Sequence, residues 1–203
     1  MAYEDFTTYN VVDPNSRLTI LQNKITWAAL TMDDNVYVYK DFGVDHFAGD
    51  FEFLFEAYYD SLADTWGDVC FGGLANIIGN AVDVYNVEEG MWLEFNWDRL
   101  WLYSAPLGGW TNFECLRDTL YYITVSRVST IITAKVYADA ARTNLLATLI
   151  REEESIPYRY LYGVQSALWG GTDAGYGYIQ NLDIQEEAPP GGRAKAMLLG
   201  VGH

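Results

Sequence analysis

The stretch Thr119-Leu-Tyr-Tyr-Ile-Thr-Val-Ser-Arg127 and its continuation Thr130-Ile-Ile-Thr-Ala-Lys-Val-Tyr137, separated by Val128-Ser129, decides the fold. Nearly every position is aromatic or β-branched, the residue types that suit a pleated, half-buried surface. Side chains alternate across a strand, so Ile132, Ala134 and Val136 point one way and Ile131, Thr133, Lys135 and Tyr137 the other. Two such runs with a short gap predict an antiparallel hairpin, and we place it at the centre of a sheet. The gap lacks Asn-Gly or Asp-Gly, which leaves the turn type open.

Working outward, residues 51–59 form the clearest strand. Phe51, Phe53, Phe55, Ala57 and Tyr59 share one face, and Glu52, Leu54, Glu56 and Tyr58 the other. A face of three phenylalanines must be core, because a one-residue register slip would bury two glutamates instead. Toward the N-terminus, residues 6–9 read as an extended arm, and 17–21 with 24–30 as a hairpin about Gln22-Asn23. Residues 36–40 read as a strand, and 41–50 as a polar loop. Residues 69–78 read as a strand bulged at Gly72-Gly73. Short strands follow at 82–85, 91–95, 99–103 and 111–116. After the central hairpin come one helical turn at 139–144, a strand at 145–150 and an acidic solvated loop at 151–155. Strands at 158–168 and 176–185 complete the pattern.

About a dozen short strands and no long amphipathic helix predict an all-β, two-sheet antiparallel sandwich of jelly-roll type. Residues 1–187 form this domain. Residues 188–203 change character: Ala188-Pro-Pro-Gly-Gly192 is a linker, followed by Arg193, Lys195, Met197, Leu198 and Leu199. This short basic, apolar tail reads either as a docking element for a neighbouring subunit or as a frayed terminus.

The chain has 203 residues, half of them apolar, and a net charge of −16 from 28 acidic and 12 basic residues. Such a charge, with no basic stripe, argues against nucleic acid partners and anionic membranes. The first residues carry no basic-then-apolar leader, and no apolar run is long enough to span a bilayer. Cys70 and Cys115 are expected as two buried free thiols rather than a disulfide framework.

Several weak motifs in order resemble the concanavalin A-like lectin/glucanase superfamily, in its laminin G-like or pentraxin-like branch. They are Val36-Tyr-Val-Tyr-Lys-Asp-Phe-Gly43, Gly49-Asp-Phe-Glu-Phe53, Tyr121-Tyr-Ile-Thr-Val-Ser-Arg127, Ala134-Lys-Val-Tyr-Ala-Asp139 and Gly177-Tyr-Ile-Gln-Asn-Leu-Asp183. The chain looks most like the compact proteins of this kind from phage and environmental virus-like sequences. The resemblance implies two curved sheets, a concave face that binds glycans in some members, and a calcium site in many.

A retaining glycosidase needs two carboxyls about 5–5.5 Å apart. Glu52 and Glu56 share a strand face but stand four residues, or about 13 Å, apart. His46 and His203 have no nucleophile placed beside them by sequence, and no zinc spacing occurs. Asp41, Asp45 and Asp50 lie in one glycine-flanked loop and are candidate calcium ligands, with Asp173 in a glycine-rich loop. Asp183 joins them through the resemblance. The competing reading for all five is turn capping. Trp66, Trp97, Trp110 and Trp169 sit in or beside expected loops and are candidate carbohydrate-stacking residues, or else the edge of the core. Trp27, Trp92 and Trp101 are expected inside.

The resulting expectation is a non-catalytic lectin-like structural protein of a virion or cell-surface assembly, made without a cleavable signal. It would act through contacts with itself or neighbouring subunits. Glycan binding by loop aromatics, with or without calcium, is the alternative, and glycoside hydrolysis the third reading.

Overall fold

The computed structural model describes residues 3–64, 66–154, 156–167 and 170–185. Two seven-stranded antiparallel sheets pack face to face. The first runs β1 (Asn10–Val12), β4 (Tyr37–Asp41), β13 (Tyr160–Ser166), β6 (Val69–Ala75), β7 (Gly90–Asn96), β8 (Arg99–Ser104) and β9 (Trp110–Glu114). The second runs β12 (Leu145–Glu152), β11 (Ile131–Tyr137), β10 (Thr119–Val128), β5 (Phe51–Tyr59), β14 (Ala174–Ile184), β3 (Lys24–Thr31) and β2 (Leu18–Leu21). This is the jelly-roll sandwich that the strand pattern predicts.

The hairpin predicted over residues 119–137 is β10–β11. Val128 pairs with Ile131, so the turn is Ser129-Thr130, with Ser129 at φ 58°. Ile132, Ala134 and Val136 are buried, as the alternation requires. β5 occupies the centre of the second sheet, with β10 on one side and β14 on the other. Its inward row meets the first sheet across aromatic contacts. Tyr59 stacks on Phe95 at 4.8 Å, Phe55 meets Phe71 edge-on at 6.0 Å, and Trp27 stacks on Phe71 at 6.1 Å. Each such buried side chain contributes about 1.5–3 kcal/mol.

The Gly72-Gly73 bulge is present, as a register shift between Phe71 and Leu74 against β7. Gly72 is left-handed (φ +56°), and a Cβ there would stand 2.8 Å from Phe55 Cζ. Both the backbone and the inter-sheet contact therefore require glycine.

Four local expectations fail. Residues 6–8 form a 3₁₀ turn, not an extended arm, because the Asp5 carboxylate accepts from Thr7 N and caps it. Residues 82–85 belong to an α-helix, α1 (Ala81–Asn86), where Asn80 and Asp83 form a reciprocal capping box. Residues 139–144 are a non-helical reversal organised on Asp139, whose carboxylate accepts from Thr143 N and Asn144 N. The solvated loop at 151–155 is wrong for three residues: Arg151 and Glu152 continue β12, and Glu153 is fully buried.

Glu153 pairs with the equally buried Arg127 at 3.4 Å and accepts from Tyr158 Oη at 2.7 Å. Arg127 also donates to the carbonyls of Phe47, Gly49 and Ile156. One guanidinium thus gathers three chain segments at one end of the sandwich. Burial pushes the Glu153 carboxyl above the usual range, although Tyr158 and Arg127 pull the other way.

Candidate functional site on the outer face of the first sheet

The inward faces of both sheets form the core, so function must be sought on outer faces and loops. On the first sheet, the register draws a line of outward residues across six strands. Tyr37 lies opposite Gln165, Gln165 opposite Cys70, Cys70 opposite Glu94, Glu94 opposite Trp101, and Trp101 opposite Asn112. A neighbouring row places Trp92 opposite Tyr103 and Tyr103 opposite Trp110.

One half of this face is covered. Helix α1 and the preceding loop lie over β13 and β6. Tyr162 Oη donates to Ile77 O at 2.6 Å, and Gln165 Nε2 donates to Gly79 O at 3.0 Å. Ala81 and Val84 pack into a second apolar cluster with Cys70, Trp92 and Tyr162.

The other half, over β7 to β9, carries a graded aromatic run. Trp92 is buried and stacks on Tyr103 at 5.3 Å. Trp101 lies 6.2 Å from Tyr103 and meets Trp110 edge-on at 4.7 Å. Trp101 and Tyr103 are half-buried, and Trp110 is 54% exposed. Polar groups sit beside the rings: Arg99 donates to Asn112 Oδ1 at 2.9 Å, and Trp101 Nε1 to Asn96 O at 3.1 Å.

The β7–β8 tip adds a second aromatic element. Its two turn residues, Trp97 and Asp98, both have positive φ, 57° and 55°. A two-residue hairpin turn of this kind normally takes Asn-Gly, and a bulky residue there is strained by about 1–3 kcal/mol. The strain is held by Arg117, which pairs with Asp98 and donates to Ala63 O, and by Cys115 N donating to Asp98 O at 2.9 Å. The result is an exposed Trp97 in contact with an exposed Trp66, ring centroids 3.6 Å apart.

Beneath the rings lie two carboxyls. Glu94 is 1% exposed and accepts from Trp92 Nε1 at 3.3 Å, Asn96 Nδ2 at 3.4 Å and Cys70 Sγ at 3.6 Å. Asp68 is 6% exposed, and its buried Oδ1 has no hydrogen-bond partner. Burial, and then Glu94 and Asp173, push the Asp68 carboxyl upward. Burial raises Glu94 more than its three donors lower it. The pair therefore retains a proton at pH values where ordinary carboxyls have lost theirs. The Cys70 thiol is raised as well, by burial and then by Glu94, and is inert as a nucleophile.

The sequence-based candidates are only partly brought together. Trp66 and Trp97 meet, whereas Trp110 stands on β9 rather than in a loop and joins Trp101. Trp27 and Trp92 are core, while Trp101 is half-buried. Trp169 and the tail residues Arg193, Lys195, Met197, Leu198 and Leu199 lie outside the described residues. Asp41 is turned to Arg159 at 2.6 Å, whose hydrogen bonds hold its carboxyl down at about 2. Asp50 accepts from Ser129 N at 2.7 Å, and Asp45 is a loop residue at φ 62°. Asp173 lies near Asp68, and Asp183 is on β14 opposite Leu54. Among the described residues, no three His, Cys, Asp or Glu side chains stand close enough to share a metal ion. Cys70 and Cys115 are buried free thiols, as expected.

Asp68, Glu94, Trp101, Tyr103 and Asn112 were not singled out from the sequence. The available signal was the alternation Trp92-Leu-Glu94-Phe-Asn96, in which an acid between Leu93 and Phe95 must face away from the core. A cleft of about 840 Å³ opens at the Arg127 end, lined by Phe47, Asp50, Phe51, Glu52 and Ile184 among others. Arg127 also lines it, but its donors are engaged by chain carbonyls and Glu153, so the aromatic face is the stronger candidate.

No protein-family model matches the sequence, and no curated protein matches it. Similar solved structures exist at the level of fold. A protein of unknown function from Shewanella oneidensis MR-1 superposes with a TM-score of 0.52 at 8% identity, over 85% of this chain and 71% of that one. The binding domain of botulinum neurotoxin serotype D gives 0.53 at 9% identity, over 87% of this chain and 43% of that one. A Trypanosoma rangeli sialidase, solved in complex with sialic acid, gives 0.52 at 9% identity, over 87% of this chain and 27% of that one. At these identities the likeness is to the β-sandwich fold alone.

Proposed function

We propose that the protein is a non-catalytic carbohydrate-binding β-sandwich whose site is the open half of the first sheet. The observation that carries this reading is the run Tyr103, Trp101 and Trp110. It is contiguous, passes from half-buried Tyr103 and Trp101 to exposed Trp110, and is flanked by Asn112 and Arg99. Flat aromatic rings stack on the C–H faces of sugar rings, and neighbouring amide and guanidinium groups meet hydroxyls. The strained Trp97 with Trp66 forms a rim of the same chemistry. Glu94 and Asp68 are too deeply buried to reach a glycosidic bond, which favours binding over hydrolysis. Glycan-array screening followed by titration calorimetry tests the reading. Wild-type protein should bind at least one glycan class, and Trp110→Ala should weaken it at least tenfold with unchanged circular dichroism. No binding to any glycan, or equal affinity of the variant, would refute it.

A second reading, self-assembly of a coat or surface component, is favoured by β12. It is an eight-residue edge strand with Leu145, Leu146 and Ile150 exposed and no acidic residue from 145 to 150. The other edge strands have three, five and four residues. Long apolar edges pair with other edges. Sedimentation analysis should give a concentration-dependent oligomer that Ile150→Lys dissociates; a monomer at all concentrations would exclude this role for β12. The virion setting and the tail's part in assembly remain proposals, tested by deleting residues 188–203 and following particle or filament formation.

A further inference from the structure

β12 closes one edge of the second sheet, and among the described residues no strand pairs with its outer side. Its ladder with β11 determines which backbone groups face that side. Glu153 N donates to Thr130 O at 2.8 Å, and Ile131 lies opposite Glu152. Pairs that exchange hydrogen bonds alternate along an antiparallel ladder. Arg151, Leu149 and Ala147 therefore point their N–H and C=O groups at β11, and Glu152, Ile150 and Thr148 point theirs at the open edge. The side chains of Leu146, Thr148 and Ile150 stand exposed on the outer face, while Leu149 on the other face is core. Residues 145–150 hold no charged residue and no proline, the usual protections of an edge. The register shift between Val136 and Tyr137 disturbs the ladder only at the Leu145 end.

We infer that this edge pairs with the same edge of a second copy, about a two-fold axis at Thr148, and joins the two second sheets into one. The inference rests on the self-assembly reading of β12 and names its partner and register. A two-fold axis normal to the sheet keeps outer side chains outer, so even-numbered residues must oppose even-numbered ones. Centred on Thr148, the outer row reads the same in both directions. Leu146 meets Ile150 of the second copy, Thr148 meets Thr148, and Ile150 meets Leu146. Apolar groups face apolar groups and the two hydroxyls face each other, both favourable cross-strand pairs. Centring on Leu149 would set Leu146 against Glu152, and centring on Ala147 would set Ile150 against Asn144. Each of those registers puts an apolar side chain on a polar one. Charge favours the same edge. A chain of net charge −16 repels its copy, but the paired segment is flanked by Lys135, opposite Thr148, and by Arg151, and Glu152 lies past its end. Repulsion is therefore locally reduced where the two edges meet. An isologous contact closes on itself, so the product is a dimer rather than a filament. A pair limited to residues 146–150 is small, which places it in the weak, concentration-dependent class.

The experiment is sedimentation of the full chain over a concentration series, with cysteine crosslinking to read the register. Wild type should show a monomer–dimer equilibrium that strengthens with added salt, which screens the like charges. Thr148→Pro removes an N–H that β11 does not use, so it should weaken the dimer about tenfold or more with thermal unfolding little changed. In the Thr148-centred register the two Thr148 Cα atoms stand about 5.5 Å apart and the two Ile150 Cα atoms about 14 Å, whereas a disulfide needs less than about 7 Å. Thr148→Cys should therefore give a covalent dimer under mild oxidant. Leu146→Cys or Ile150→Cys alone should not, whereas the two mixed should. The native thiols Cys70 and Cys115 are buried. Should Thr148→Pro not fold, the cysteine variants carry the test. A dimer in which Ile150→Cys crosslinks to itself, Thr148→Cys does not, or Thr148→Pro leaves the affinity unchanged would overturn the Thr148 pairing while leaving self-assembly intact. An open-ended polymer would do the same. A monomer at every concentration would overturn the self-assembly reading of β12, and this inference with it.

Discussion

Asp68→Asn is expected to make the protein more stable at high pH and to remove most of a pH dependence that the wild type should show. In the folded chain, burial raises Glu94 from an ordinary 4.5 to about 7, and burial, then the charges of Glu94 and Asp173, raise Asp68 from 3.8 to about 8. Between pH 4.5 and 8 the native state therefore holds protons that the unfolded state has released. Stability must fall as pH rises wherever the native state binds the extra proton. One such proton over the three units from pH 5.5 to 8.5 sets a ceiling of about 4 kcal/mol. Asp68 retains some solvent access, and local relaxation discounts the figure, leaving about 2 kcal/mol. At this chain length that is a Tm lower by about 5 °C at pH 8.5 than at pH 5.5. Urea unfolding followed by tryptophan fluorescence, with scanning calorimetry, measures both quantities. Asn keeps the shape and removes the charge, so the variant should gain about 1–2 kcal/mol at pH 8.5 and have a flatter profile. Wild-type stability that is constant or rises over this range would refute the reasoning, as would a variant less stable than wild type at pH 8.5.

Other substitutions probe the frame. Arg127→Met leaves Glu153 buried with only Tyr158 and Ser104 for company, and should cost about 3–5 kcal/mol in urea unfolding, partly restored by adding Glu153→Gln. Gly72→Ala meets both a left-handed backbone and the Phe55 ring, so a loss of about 2 kcal/mol or more is expected in the same assay. Asp98→Gly relieves a positive φ but breaks the Arg117 pair; differential scanning should show a net change under about 1 kcal/mol, with Trp97 fluorescence altered.

Much of the frame was legible because the sandwich is written in period two. Phe53, Phe55, Ala57 and Tyr59 could face only the core, and Ile132, Ala134 and Val136 had to match them across β10. The Gly72-Gly73 bulge was legible for the same reason, since glycine in an apolar strand marks close approach. What escaped was decided by contacts distant in sequence. Glu153 reads as a loop acid until Arg127 is placed beside it, and residues 82–85 read as a strand unless the Asn80–Asp83 capping box is noticed. The candidate site was half visible. Trp66 and Trp97 stood out as loop aromatics, but their meeting depends on the Arg117–Asp98 clasp. Trp101 passed for core because strand position alone does not say that β9 lies at the sheet edge and leaves its face open.

The most direct test is an indole NMR titration of the isotope-labelled protein with a neutral oligosaccharide. Glycan binding on the open face of the first sheet predicts that the Trp101 and Trp110 Nε1 resonances shift and saturate together, while those of buried Trp27 remain still. Saturable binding that leaves Trp101 and Trp110 unmoved, and shifts instead the Tyr58 and Tyr178 pair on the opposite sheet, would contradict it.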